Sequence, residues 1–216
     1  PLWSRGLGDV YKRQKQYYEL KRNNIFKTIS EDEAVSSYRT CLQDSINLRL
    51  RADVSVGTCL SGGLDSSSIA SIAGPIYNKK SLMKFNAVTA VSEQASNSEE
   101  HYAEQVVNYS NLNWLKVTPT YQDFLDTLPD VVRTQEEPFA STSLTMQYFV
   151  MREARKNGIP VLLDGQGGDE TLLGYPKYYG SYLATTLRDG GLISFFNALK
   201  SSSVNNHSMS LICLLY

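Results

Sequence analysis

The chain has 216 residues, with 21 Lys plus Arg against 22 Asp plus Glu and a formal net charge of −1, so no global field draws it to nucleic acid or to an anionic membrane surface. Its apolar runs, such as Val161-Leu162-Leu163 and Leu211 to Tyr216, fall far short of the roughly 20 residues that a bilayer-spanning helix needs. Cys41, Cys59 and Cys213 form no CxxC pair, and His101 and His207 have no companions at zinc-like spacing, which argues against a disulfide framework or a zinc site and suits a soluble protein of the reducing cytoplasm.

Residues 1–14 (Pro1 to Gln14) have no initiator Met, no apolar h-region and no periodicity, and read as an adaptor-like, non-native segment rather than a signal peptide. Between Glu31 and Leu50, apolar Ala34, Val35, Tyr38, Leu42, Ile46 and Leu50 recur at helical spacing, with Ser30 and Glu33 as a capping box. Val54 to Leu60 reads as a short strand that runs into Ser61-Gly62-Gly63 and then a helix from Asp65 to Ala73. Phe85 to Ala90 is predicted as a second strand, Ser98 to Tyr109 as a helix capped by Ser98, and Leu112 to Thr118 as a third strand. Two helices follow, Tyr121 to Thr134 and Ser141 to Asn157, separated by Glu136-Glu137-Pro138-Phe139 and ended by Gly158. Ile159 to Leu163 then reads as a buried strand leading into Asp164-Gly165-Gln166-Gly167-Gly168-Asp169-Glu170. Strands alternating with helices imply an α/β fold with a mainly parallel sheet and helices on both faces. The expected organisation is one domain over residues 15–190, followed by a truncated or disordered Ser- and Asn-rich tail over 191–216.

Two Gly-rich loops each follow a strand, and in open α/β sheets ligands sit beyond the carboxyl ends of the strands. Ser61-Gly62-Gly63-Leu64-Asp65-Ser66 combines small residues, two hydroxyls and a helix N-terminus, a donor set suited to pyrophosphate. It lacks the Lys of GxxxxGK[ST] and the spacing of GxGxxG. A carboxylate at Asp65 would repel phosphate unless a divalent cation intervened, and Mg²⁺ shared between carboxylate and phosphate oxygens is the ordinary solution. Asp169, in the second loop, is the candidate for the other carboxylate.

From Ala34 to about Tyr179 the sequence resembles the ATP pyrophosphatase family, whose loop reads SGGxDS, and within it the asparagine synthetases. Arg51-Ala52-Asp53-Val54-Ser55-Val56-Gly57, Glu136-Glu137-Pro138-Phe139 and the second loop leading into Leu173-Gly174-Tyr175 carry that narrower likeness. The resemblance implies an adenine nucleotide alpha hydrolase-like (ATP pyrophosphatase) fold, with ATP and Mg²⁺ as cofactors. It implies that Ser61, Gly62, Gly63, Asp65 and Ser66 hold the pyrophosphate, that Asp65 and Asp169 hold the metal, and that Leu60, Val88, Asp164 and Gly165 line the AMP moiety largely through backbone atoms. The implied reaction adenylates a carboxylate, with aspartate expected, and passes ammonia to it to give the amide, AMP and pyrophosphate. In the family the ammonia comes from an N-terminal glutaminase domain that nothing here matches, and further catalytic groups, a lysine among them, lie beyond this chain's end. Where several relatives carry Glu in the second loop this chain has Gln166, whose amide cannot take a proton; Glu170 is then the candidate general base, with a helix-capping or surface role as its alternative. A sibling synthetase acting on another carboxylate, such as a β-lactam synthetase, a peptide cyclase or a polymer amidotransferase, and a non-catalytic nucleotide-binding fragment stay open, as does a homodimer. A tRNA-modifying relative is less attractive because no basic, aromatic-interleaved signal accompanies the loops.

Overall fold

The computed structural model describes residues 15–19, 28–92 and 99–205; residues 1–14, the Ser98 cap, His207 and Cys213 lie outside them. The chain divides into two compact units, residues 1–42 and 43–216, and the division falls inside helix α1, Glu31–Arg49. The capping box that starts α1 is formed: Glu33 N–H donates to Ser30 Oγ at 3.3 Å, and Ser30 N–H donates to Glu33 Oε2 at 3.0 Å. Those two bonds satisfy orphan donors at opposite sides of the first turn.

In the second unit the elements follow as β1 Val56–Cys59, α2 Leu64–Lys80, β2 Asn86–Ala90, α3 Glu100–Ser110, β3 Asn113–Val117, α4 Tyr121–Gln135, α5 Ser143–Lys156, β4 Val161–Leu163, α6 Gly168–Leu172 and α7 Lys177–Asn205. All four strands are parallel, in the order β3-β2-β1-β4. The chain steps leftward from β1 through β2 to β3 and then returns to the far side of β1. With right-handed crossovers, that reversal puts α2 and α3 on one face and α4 and α5 on the other. The packing agrees: α2 rests on α3 and β1, while α5 rests on α4, β2 and β3. The α/β fold with helices on both faces is therefore present.

One part of the core lies between the sheet and α5, while Ala70, Ala73, Ala103 and Val107 are buried on α2 and α3. Val88, Val150, Ala154 and Ile159 form one buried cluster, with Cys59, Ala90, Leu115 and Leu162 packed around it; burying each Val or Ile fully contributes about 1.5–3 kcal/mol. Phe85 and Phe149 are almost wholly enclosed. Polar side chains inside the sheet are partnered: Trp114 Nε1 donates to Thr89 Oγ1 at 2.9 Å, and Thr58 Oγ1, fully buried, donates to the Leu163 carbonyl at 3.1 Å, tying β1 to β4.

Three expectations are corrected. The helix after the first loop runs to Lys80 and not to Ala73, passing through Gly74 and Pro75. Gly74 is needed there because a Cβ would stand 2.5 Å from Leu112 Cδ2, so tertiary packing overrides two helix breakers. Among the described residues the third helix begins at Glu100, and Glu99 before it makes no side-chain capping bond. Residues 191–205, read as tail from their Ser and Asn content, are helical; α7 breaks at Gly191 (φ 72°), and Leu183 and Leu199 from either side of the break are buried together.

Helix α4 carries a second complete capping box, Thr120 Oγ1 accepting from Asp123 N–H at 3.1 Å and Asp123 Oδ2 from Thr120 N–H at 2.9 Å. These bonds hold the Asp123 carboxyl below its ordinary range, the side-chain bond to Thr120 being the main cause. Thr120→Ala removes the cap and is expected to lower Tm by about 2–4 °C in a thermal melt; an unchanged Tm would mean that α4 is held by its packing on α5 alone.

Candidate functional site

The strand order reverses at β1, so the loops leaving β1 and β4 diverge to opposite faces and open a crevice between them, the place where open α/β sheets bind ligands. Both Gly-rich loops are there. They are also in direct contact: a Cβ at Gly165 would stand 2.9 Å from Ser66 N and 3.0 Å from Asp65 Cβ, and one at Gly168 would overlap the Asp65 carboxylate. Close backbone approach, more than turn geometry, is why these positions are glycine.

Two cavities meet over the loops. One, of about 390 Å³, is lined by Leu60, Val88, Ala90, Met146 and Val150 with Cys59, Ser92, Glu99, Glu100, Ser143 and Gln147. The other, of about 670 Å³, is lined by Gly63, Leu64, Asp65, Ser66, Gly165, Asp169, Glu170 and Tyr175 among others. Ser61, Asp164 and Gln166 line both. The first carries the aliphatic side chains of Leu60, Val88, Ala90, Met146 and Val150 beside Glu99 and Glu100, the second carries Asp65, Asp169 and Glu170, and the three shared residues mark their junction.

Within the first loop the hydroxyls hold the backbone. Ser61 and Ser66 Oγ atoms are 2.9 Å apart, Ser61 N–H donates to Ser66 Oγ at 3.2 Å, and Gly63 N–H donates to Ser61 Oγ at 3.2 Å. Gly63, at the N-cap of α2, supplies no capping side chain. The first-turn N–H groups of this 17-residue helix therefore face the polar cavity without an acceptor from the cap, at the positive end of the helix dipole. That is a site for an anion.

The carboxylates around it repel one another. Burial, then Asp169, then Glu170 push the Asp65 carboxyl above its ordinary range. Among the described residues no Lys or Arg lines either cavity, so phosphate brought here would meet carboxylates with no protein cation between them. The residues present fit Mg²⁺. Because no three His, Cys, Asp or Glu side chains among the described residues converge as a ready-made cage, Asp65 and Asp169 would supply two oxygens, leaving the rest of the coordination to phosphate and water, as is usual for this ion.

Most of the expected residues converge. Leu60 and Val88 line the first cavity, Ser61 and Asp164 the junction, and Gly63, Asp65, Ser66, Gly165, Asp169 and Glu170 the second. Gly62 does not line either cavity; its φ of +96° and a virtual Cβ 2.5 Å from the Glu99 carbonyl show it serving the turn and the seat of α3. The Leu60 N–H is engaged by the Val88 carbonyl at 3.0 Å, so that donor is already in use between β1 and β2. Glu170 Oε1 accepts from the Tyr175 hydroxyl at 3.1 Å, so Tyr175 holds the candidate base, and the same bond raises the tyrosine's own pKa. Burial, aided by the Asp164 charge, pushes the Cys59 thiol up to about 12, so it stays protonated on the floor of the apolar cavity.

Sequence reasoning missed the whole α5 wall. Ser143, Met146, Gln147 and Val150 follow the i, i+3, i+4, i+7 spacing of one helix face, and that pattern in sequence looks like any core-facing stripe.

A family model described as asparagine synthase matches residues 37–212. Asparagine synthetase [glutamine-hydrolyzing] 1 of Bacillus subtilis is 34% identical over 148 residues, 68% of this chain and 22% of that protein. A putative asparagine synthetase [glutamine-hydrolyzing] of Mycobacterium bovis is 36% identical over 137 residues, 63% of this chain and 20% of that one. The chain thus spans about a fifth of the length of these relatives. Among solved structures, an NH3-dependent NAD synthetase from Campylobacter jejuni in complex with nitrate superposes with a TM-score of 0.43 at 13% identity, covering 83% of this chain and 90% of that one.

Proposed function

This chain belongs to the asparagine synthase family, and from that premise we propose that it binds ATP across its two adjoining cavities and activates a carboxylate as an acyl-adenylate for transfer to ammonia. The observation that carries the reading is the junction of an apolar cavity of nucleoside size with an acidic, helix-N-terminal one at Ser61, Asp164 and Gln166. Adenosine suits the first, pyrophosphate the second, and the α-phosphorus would then lie near the shared residues.

In this mechanism a carboxylate oxygen of the substrate attacks the α-phosphorus, the bond to the β-phosphate oxygen breaks, and pyrophosphate leaves. Ammonia then attacks the acyl carbon, the bond to AMP breaks, and one proton must leave the nitrogen. The α2 N-terminus and the Ser61 and Ser66 hydroxyls hold the pyrophosphate by fixed donors, which suits them to charge developing on the leaving group. Asp65 and Asp169 would hold Mg²⁺, which when bound neutralises that charge. Glu170, hydrogen-bonded by Tyr175, is the proposed acceptor of that proton, since the Gln166 amide has no basic site.

Aspartate is the proposed substrate, with the parent protein in the cytoplasm receiving ammonia from a glutaminase domain. One observation favours a sibling reading: an uncharged Gln166 stands at the junction where a base would be most useful. The test is pyrophosphate release from ATP and Mg²⁺ with ammonia present, across a panel of aspartate, glutamate and larger acids. Release with aspartate supports the proposed substrate; release with another acid alone moves the chain to a sibling synthetase. A folded protein that binds ATP but releases no pyrophosphate with any acid would make it a nucleotide-binding piece without turnover.

A further inference from the structure

Gln147 is the one amide on an α5 face whose other cavity-lining members are Ser143, Met146 and Val150. A buried or half-buried amide with no partner costs free energy, so its direction is informative. Its Nε2 points at the Asp164 carboxylate, 3.5 Å from Oδ2, a long contact that leaves the carboxylate able to accept from elsewhere. The same carboxylate is near enough to Cys59 for its charge to bear on that thiol. Side chains from β1 and α5 thus flank one exposed acceptor at the end of β4.

The place of that acceptor in the crevice identifies what it meets. Asp164 lines both cavities, whereas Gln147 lines only the apolar one. With a nucleoside in the apolar cavity and phosphates in the acidic one, the group that crosses the junction is the sugar. A carboxylate there accepts hydrogen bonds and repels phosphate, so it is suited to the two ribose hydroxyls and unsuited to the α-phosphate. We propose that Gln147 is a positioning residue that sets nucleotide specificity, holding the Asp164 carboxylate so that it accepts from the ribose 2′- and 3′-hydroxyls. The inference rests on the ATP-binding reading above.

The experiment compares the affinities of ATP and 2′,3′-dideoxy-ATP, each with Mg²⁺, for the unaltered chain and for Gln147→Leu, by calorimetry. The unaltered chain is expected to prefer ATP by about tenfold or more, the worth of a hydrogen bond to a charged group. Gln147→Leu keeps the bulk of the α5 face and is expected to bring the two affinities within about threefold of each other by weakening ATP. Asp164→Ala should do the same from the other partner, which guards against a fold defect in either variant. Equal affinity for the two nucleotides in the unaltered chain, or equal weakening of both by Gln147→Leu, would overturn the proposal while leaving ATP binding intact. No binding of either nucleotide by the folded, unaltered chain would overturn the ATP reading and this proposal with it.

Discussion

Asp65→Asn is expected to abolish the metal-dependent part of ATP binding and, at the same time, to raise the melting temperature of the ligand-free protein. The substitution keeps the shape of a side chain that nests against Gly168 and removes only its charge. Binding should suffer because the amide cannot replace a carboxylate on Mg²⁺, a loss of several kcal/mol or about a hundredfold in affinity. Stability should improve because burial and the charges of Asp169 and Glu170 all disfavour the ionised carboxyl in the fold. The sign follows from proton linkage. The folded chain keeps this proton to higher pH than the unfolded chain does, so the group contributes stability below the ordinary aspartate range and that contribution is lost as pH rises through the raised value. The Tm advantage of Asp65→Asn should accordingly be present at neutral pH and vanish in acid, where Asp65 is itself protonated. Calorimetry with and without Mg²⁺, together with melts across pH, checks both halves. A variant that binds ATP and Mg²⁺ as the unaltered chain does would remove Asp65 from the metal site.

Gly165→Ala is expected to be the most damaging single methyl group in the second loop. The new Cβ would stand 2.9 Å from Ser66 N, 3.0 Å from Asp65 Cβ and 3.1 Å from Asp65 C. These atoms are the first turn of α2 itself, with no flexible side-chain end to swing aside. Relief must come from parting the loops, at about 1–3 kcal/mol, and parting them moves the α2 N-terminus away from Asp169. A Tm drop of about 2–10 °C should therefore accompany a fall of about tenfold or more in ATP affinity, since small misplacements of binding groups are costly. Gly158→Ala is the comparison: at φ +69° with open space around it, it should cost stability through backbone strain alone and leave ATP affinity unchanged. If both variants lost only stability, contact between the two loops would not be what positions the site.

The two loops and the alternation around them were legible because their signals are local. A β-branched run, a Gly-rich turn and a capped helix announce themselves within a few residues, and β1, β2, β3, α4 and α5 all lie within a few positions of where the pattern puts them. What could not be read depends on distant contacts. Gly74-Pro75 looks like a helix end until Leu112 and Ser110 are packed against it. Gly62 is seen to be held to glycine by the Glu99 carbonyl only once α3 is seated against the loop. Gln147 faces Asp164 only because α5 and the end of β4 are packed side by side. The Ser-rich stretch after Gly191 looks like a tail by composition, yet Leu183 and Leu199 are buried together across its break.

The hydrogen bond from Thr58 to the Leu163 carbonyl closes a loop of more than a hundred residues, 105 positions apart in sequence. Loop closure of that span costs chain entropy that no local contact repays in advance. In folding, then, β1, β2 and β3 with their intervening helices can pair early, while the β1–β4 pairing belongs to the last steps. The crevice between the two loops does not exist before that event, because one of its walls arrives with β4. A chain still emerging from the ribosome would present Ser61 to Ser66 as a bare loop, and the proposed nucleotide site would form abruptly once residues 161–170 are free to dock.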